Sequence, residues 1–534
     1  MIRETIIIRR SHFFRWVALL TLSGFAIPSP LAAEEASRPN ILLIMLDDLG
    51  FSDLGCYGAP IIQTPTIDSL AKQGLRFSQF YNTSKCHSSR ICLLTGKYPF
   101  QAGNHAMNKA VTIAEVLGPA GYFTAMSGKW HLQGEPTDRG FDRYFGHLSG
   151  ATNFFTGDNS FRLNGMPWSD FSAEFYTTDV VTDFALKFVD ESLALDKPFL
   201  MYVAYNAPHY PLQAPEADVR KYRRKFLGGW DQLRSRRHQK MKDEGLIPAE
   251  LALSPRPDYI PAWRQLTEET QNWEDFRMAT YAAMVDRVDR NLNRLVKHLK
   301  DQGIWENTLL MLCSDNGACP FERTRGKNKQ PWDPTSYWTY DVGWAHVGNT
   351  PFRWYKQNQH EGGISSPLIV HWPEGLKTAP GAVTHQAGHL IDLLPTLAEV
   401  GQAEIPRTKG KRALLPVQGK SLVPIFQDKE REGHDWIYFH FNDNRAIRRG
   451  KWKLVSAEWG RWELYDLSKD RSELHDLAGE SPELVDELKQ LWHHVAKEVD
   501  GVPKRLRRPV NNLQPTFPPK QMTQRVLKRS GTAK

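Results

Sequence analysis

Cysteine is scarce: five residues in 534, too few and too scattered for a disulfide scaffold. Long apolar runs are also missing. Beyond the N-terminal segment nothing approaches the roughly 20 residues of a bilayer-crossing helix, so no stable membrane span is expected. Nor is there a basic face. The net charge is +8, but residues 501–534 hold nine Lys or Arg and no acid, and residues 1–33 hold four Arg against one Glu. The body between them, 34–500, is therefore slightly acidic. Nucleic-acid recognition needs a basic stripe on a folded face, which excludes it for the body. The 501–534 tail reads as a solvated, Pro-containing terminus that can at most touch polyanions. Hydrophobic residues at 41% against 24% charged exclude general disorder and leave material for a large core.

Arg3, Arg9, Arg10 and Arg15 precede an apolar stretch from Trp16 to Ile27, followed by Pro28, Pro30, Ala32 and Ala33. A basic segment, a short apolar segment and small residues together form the pattern of a signal peptide over residues 1–33, which predicts a periplasmic or secreted protein. The runs Ile41 to Leu46, Phe199 to Ala204, Leu309 to Leu312 and Leu368 to Val370 each suit a strand buried on both faces. Between them Tyr281, Met284, Val285, Val288, Leu292, Leu295, Val296 and Leu299 recur at helical spacing. Strands alternating with helices predict an α/β protein with a large, mostly parallel sheet sandwiched by helices over residues 34–429. Residues 216–262, rich in Arg and Lys, are expected to form a surface excursion.

From about residue 430 the composition changes. Trp436 to Phe441, Trp452 to Val455 and Trp462 to Leu467 read as short aromatic-rich strands with turns at Gly450 and Gly460. Ser481-Pro482-Glu483 then reads as an N-cap with Pro at the first helical position, opening a helix to about Val499. Residues 430–500 are thus expected to form a smaller C-terminal antiparallel sheet plus helix.

Two predicted strands end in acidic pairs, Asp47-Asp48 and Asp315-Asn316. In an open parallel sheet, ligands gather at the carboxyl ends of the strands. Each pair alone reads equally well as a turn or a cap. Two at matching places favour a hard divalent cation, Ca2+ or Mg2+, over either. The segment from Thr83 to Gly96 carries Cys86 with Arg90 four residues on, opening a helix through Leu94. A lone cysteine is most often a buried structural thiol, but a helix N-terminus beside a guanidinium favours an anion at that spot.

These residues carry a family resemblance. Cys86, Arg90 and Leu94-Thr95-Gly96 resemble the sulfatase signature, in which the Cys is oxidised to formylglycine. The resemblance extends over nearly all of residues 39–500. It includes Gly128-Lys129-Trp130-His131-Leu132, Asn206-Ala207-Pro208-His209, Ser314-Asp315-Asn316-Gly317, Asn349-Thr350-Pro351-Phe352-Arg353-Trp354-Tyr355-Lys356 and Glu361-Gly362-Gly363. Gly229-Trp230 and Ser254-Pro255-Arg256-Pro257 look like the bacterial arylsulfatases. Two positions depart from the pattern: Ser88 stands where the signature usually has Pro or Ala, and Gln133 where Gly is common.

The resemblance implies an alkaline-phosphatase-like fold and hydrolysis of sulfate monoesters. It implies metal ligands Asp47, Asp48, Asp315, Asn316 and modified Cys86 around Ca2+, with a formylglycine-generating enzyme as maturation partner. A plain Ser or Cys nucleophile would end as a stable sulfated adduct. Hydrated formylglycine has two hydroxyls on one carbon, one to attack sulfur and one to expel the sulfate. Arg90 is implied to steady that group, Lys129 and Lys356 to bind sulfate, His209 to protonate the leaving oxygen and His131 to deprotonate the remaining hydroxyl. An exported enzyme of this kind suits a sulfated polysaccharide as substrate. Two rival readings are a phosphonate or phosphodiester hydrolase of the same superfamily, and a sulfoglycan-binding protein if Cys86 stays a thiol. Cys56, Cys92, Cys313 and Cys319 are then an even number, expected to remain buried thiols rather than to pair.

Overall fold

A computed structural model describes residues 38–325 and 328–501; the expected leader and, apart from Gly501, the basic tail lie outside these residues. The core is an eleven-stranded sheet. Its long strands are β1 (Asn40–Leu46), β2 (Leu75–Tyr81), β3 (Phe123–Gly128), β4 (Arg143–His147), β5 (Phe199–Ala204), β6 (Thr308–Ser314) and β7 (Ser365–His371). They lie in the order β2-β7-β6-β1-β5-β3-β4, with short strands completing both edges. From β6 through β4 neighbouring strands are parallel, whereas β7 runs antiparallel to both β6 and β2. The sheet is mixed and mostly parallel, as the strand–helix alternation predicts. Leu368 to Val370 shows why direction is illegible in such runs. It is as buried as β1, and burial on both faces depends on position in the sheet, not on polarity.

Both faces are covered. The periodic segment at 281–299 lies within one long helix, Glu268–Asp301, whose Thr267 caps it by accepting from the Thr270 N–H at 3.2 Å. It packs with Thr177–Ala194 and Pro65–Gln73 against one face of the sheet, through Leu42, Ile44, Met201 and Val203. The helix Cys86–Thr95, here α1, lies on the other face, through Ile41, Leu43, Met45 and Leu200. Burying each such Leu or Ile contributes about 1.5–3 kcal/mol. That sum lets the sheet carry charged residues at its strand ends.

Residues 216–262 are not a surface excursion. The helix Gly229–Asp243 buries Trp230, Arg234 and Arg237. Arg237 donates to Asp53 Oδ1 at 2.6 Å, and the Tyr281 hydroxyl donates to Asp53 Oδ2 at 2.7 Å. Arg234 and Arg237 are polar anchors reaching inward, whereas Arg220, Lys221, Arg224, Lys225 and Arg236 are exposed, a division that composition alone does not show.

The C-terminal sheet has four strands in sequential antiparallel order: β8 (Ile437–Phe441), β9 (Asn444–Arg449), β10 (Trp452–Ser456) and β11 (Glu463–Asp466). The sequence reading missed β9, whose three arginines suggest a loop. In the fold Arg448 reaches the Tyr81 hydroxyl at 2.7 Å and Arg449 the Glu487 carboxylate at 2.7 Å. The closing helix α2 spans Pro482–Val499 with Pro at its first position, but Ser481 makes no side-chain capping bond. Trp492, Val495 and Val499 pack it into the same core as α1. All five cysteines are free and buried, and no helix among the described residues is long and apolar enough to cross a membrane.

Candidate active site

Adjacent parallel strands bring their ends to one level. Register pairs Met45 of β1 with Ala204 of β5 and Cys313 of β6, and pairs Gly128 of β3 with Ala204. The next residues along each strand are therefore Asp47-Asp48, Asn206, Asp315-Asn316 and Lys129, set side by side. His209 follows three residues after Asn206. Asp48 (φ 65°) and His131 (φ 58°) hold left-handed backbone, a strain of about 1–3 kcal/mol each that suits a site where direction matters more than stability.

α1 aims at this row. Cys86 is its first residue, 1% exposed, and no side chain caps the helix, so its positive end faces the acidic strand ends. Arg90, one turn on and on the same side, donates to the Lys129 carbonyl at 2.8 Å and lies 3.4 Å from Asp315 Oδ2 and 3.6 Å from Asp47 Oδ2. Lys129 pairs with Asp47 and Lys356 with Asp48. The Lys356 segment is held by its backbone N–H donating to the Ala318 carbonyl at 3.1 Å.

Burial opposes charge on Asp47, but Lys129, His209, Arg90 and Lys356 outweigh it and hold the carboxyl well below its ordinary value. Asp48 is lowered likewise against burial, chiefly by Lys356 and His209. Asp315 goes the other way, pushed up to about 7 by burial and by the Asp47 carboxylate. Burial also drives His209 down to about 4, against the pull of Asp48 and Asp47. Its Nδ1 donates to the Tyr210 carbonyl at 2.6 Å, leaving Nε2 facing Asp48 Oδ2 at 3.5 Å.

The donor set fits a hard cation. Ligand atoms of Asp47, Cys86 and Asp315 lie within 4.8 Å of one another, and so do those of Asp47, Asp48 and His209. Asp47 Oδ1, Asp48 Oδ2 and Asn316 Oδ1 are buried without any hydrogen-bond partner. The Asn316 amide N–H already donates to Asp48 Oδ1 at 2.7 Å, which turns its free oxygen the other way. Buried acceptors left open cost about 1–3 kcal/mol each, and a divalent ion with oxygen ligands relieves all three at once.

The structure thus brings Asp47, Asp48, Cys86, Arg90, Lys129, His209, Asp315, Asn316 and Lys356 into one buried cluster. His131 stands at its margin, its ring 5.8 Å from His87. Burial, Lys129 and Arg90 push it far below the ordinary histidine range, so it is a neutral base. Sequence reasoning gave no role to Asn206, which is 3% exposed with Oδ1 unpartnered at the same strand-end level as Asp47. Its place directly after an apolar run was the available signal.

Fold and site together define a hydrolase of the alkaline-phosphatase-like class. Residues 39–403 match the Sulfatase family model, and residues 351–500 match the model described as N-sulphoglucosamine sulphohydrolase, C-terminal. The chain belongs to the sulfatase family and is a sulfuric ester hydrolase. An uncharacterised sulfatase of Schizosaccharomyces pombe is 33% identical over 486 residues, covering 79% of this chain and 86% of that one. An arylsulfatase of Klebsiella aerogenes is 29% identical over 442 residues, covering 75% and 94%. The crystal structure of Ps i-CgsB in complex with k-i-k-neocarrahexaose superposes with a TM-score of 0.65 at 25% identity, covering 93% and 98%.

Proposed function

We propose that the protein is an exported, arylsulfatase-type enzyme whose nucleophile is formylglycine made from Cys86 and whose resident cation is Ca2+. The observation that carries this reading is the set of open, buried oxygens on Asp47, Asp48 and Asn316 around the head of α1. Those residues, with Asp315 and residue 86, would hold the ion. When bound, it supplies positive charge that acidifies a hydroxyl and polarises a sulfate oxygen.

The chain's own groups do the rest. One hydroxyl of the hydrated aldehyde, its proton released to solvent, attacks sulfur as the oxyanion, and the ester S–O bond breaks. To act as the acid His209 must enter the step as imidazolium, the form that Asp48 and Asp47 favour against burial; with Nδ1–H donating to the Tyr210 carbonyl, the Nε2 proton is the one it can give to the departing oxygen. The second hydroxyl then loses its proton to His131, and the C–O bond to sulfate breaks as the aldehyde re-forms. Lys129 and Lys356, now paired with carboxylates, offer the incoming sulfate two buried ammonium groups. Arg90 holds residue 86 against the acids.

The signal pattern of residues 1–33 supports export. Maturation by a formylglycine-generating enzyme would act on the Cys86–Arg90 segment with Ser88 in its middle. The neocarrahexaose bound by the solved relative supports a sulfated polysaccharide as substrate. Turnover of an aryl sulfate compared with a matched aryl phosphodiester tests the reading: the sulfate ester is expected to react faster, and faster phosphodiester cleavage overturns it in favour of the rival hydrolase.

A further inference from the structure

Seven arginines of the described residues have less than a tenth of their surface exposed. Arg90, Arg139, Arg237, Arg277 and Arg471 pair with carboxylates. Arg234 donates to the Ser254 and His346 carbonyls at 2.6 and 3.1 Å. Arg445 differs. It is 7% exposed, its side chain forms no hydrogen bond or ion pair among the described residues, and its buried Nε is without a partner. Burial alone pushes it down to about 10, with no carboxylate opposing.

Its surroundings are aromatic. The guanidinium carbon lies 4.1 Å from the ring centre of Trp459, 4.0 Å from that of Trp462 and 5.6 Å from that of Trp492. Stacking of this kind offsets part of the cost of taking a guanidinium out of water, but it supplies no hydrogen-bond acceptor for the N–H groups. As packing alone, the position is better served by a Met or Leu. The stacking does fix the plane of the fork, which is what bidentate capture of an oxyanion requires.

The location gives the anion a source. Arg445 sits directly across the β8–β9 pair from His440. His440, Phe441 and Asn442 line a cavity of about 220 Å3 together with His87 and Ser88, and the His87 ring lies 5.9 Å from that of Phe441. His87 and Ser88 are the first two residues after Cys86 on α1. His440 links this cavity to the tryptophan cluster, its ring 6.2 Å from that of Trp459 and 5.7 Å from that of Trp492. The geometry points to a second oxyanion subsite at Arg445, which receives a sulfate or carboxylate carried on a polymeric substrate. This rests on the sulfatase reading above only for the identity of the polymer.

Calorimetry with Cys86→Ala protein, which cannot turn substrate over, tests the subsite directly. Binding of a polysulfated oligosaccharide is expected to weaken about tenfold or more in Arg445→Gln. Arg445→Lys, which keeps the charge and the stacking but not the fork, is expected to weaken it nearly as much. In protein with Cys86 intact, aryl sulfate kcat/KM is expected to be unchanged in both variants. Unaltered oligosaccharide affinity overturns the proposal, as does an equal loss on the aryl ester. Inorganic sulfate is the second probe: binding as tight as the oligosaccharide, and lost in Arg445→Gln, makes the group a product site and overturns the polymer assignment. Absence of aryl sulfate turnover in the wild type counts against the sulfatase mechanism but leaves the calorimetric result standing.

Discussion

Two buried charge clusters lie on either side of the segment that carries Lys356. At the strand ends, acids and bases pair yet leave oxygens of Asp47, Asp48 and Asn316 open. Beneath the C-terminal sheet, Glu361 is fully engaged: Oε1 accepts from Lys453 at 2.9 Å, and Oε2 accepts from Tyr81, Ser365 and Arg471 at 3.0 Å each. Lys453 also pairs with Glu473 at 2.8 Å. Similar burial and similar residue types therefore serve opposite ends. A carboxylate engaged at both oxygens, as Glu361 is, fastens two sheets together, and a set of neighbouring acceptors left open is shaped for something else to complete it.

The sharpest way to break this contrast is substitution at each centre. Cys86→Ala is expected to cost on the order of 10⁴-fold or more in aryl sulfate turnover, because the nucleophile acts as a unit with its partners. The melting temperature is expected to stay unchanged in a thermal scan. Lys453→Met is expected to do the reverse. It removes the cation shared by Glu361 and Glu473, leaving Glu361 ion-paired with Arg471 alone, a loss of about 3–5 kcal/mol readable by denaturant unfolding, while turnover per folded molecule persists. A Lys453 variant with native stability and no activity would erase the distinction.

The proposed calcium ion is expected to separate the clusters more gently. A ligand at about 100 times its Kd stabilises by about 2.7 kcal/mol, so adding calcium to chelator-treated protein is expected to raise the melting temperature measurably. Asp48→Asn is expected to shrink that rise and Glu361→Gln to leave it intact. The smallest effect is on pH. Glu361 is held down to about 2 from an ordinary 4.5, because Lys453 and Arg471 outweigh burial. A depressed carboxylate contributes stability that is present above pH 4.5 and lost as pH falls towards 2. Acid unfolding of Glu361→Gln is therefore expected to be shallower across that window than in the wild type.

Much of the site was legible because its chemistry sits at strand ends, where apolar runs stop at acidic or basic residues. Asp47 and Asp315 could be placed in this way before any coordinates, whereas Lys129 came only from the family motif around it. Their meeting depends on the order of the strands, which periodicity does not encode; the motifs of a known family supplied it. What sequence hid was polar residues with inward partners. Arg237 looked solvated until Asp53 was found beneath it, and the arginines of β9 looked like a loop until Tyr81, Glu487 and the tryptophan cluster were seen to receive them. Asn206 stayed silent because an amide after a strand reads as a turn.

The central claim is that residue 86 works as an aldehyde hydrate among oxygens made for a cation. Peptide mass spectrometry across Cys86, on protein from its native host fractionated by aryl sulfatase activity, tests it most directly. The account predicts that active fractions carry formylglycine in proportion to their turnover; full activity in protein whose Cys86 is an intact thiol would contradict it.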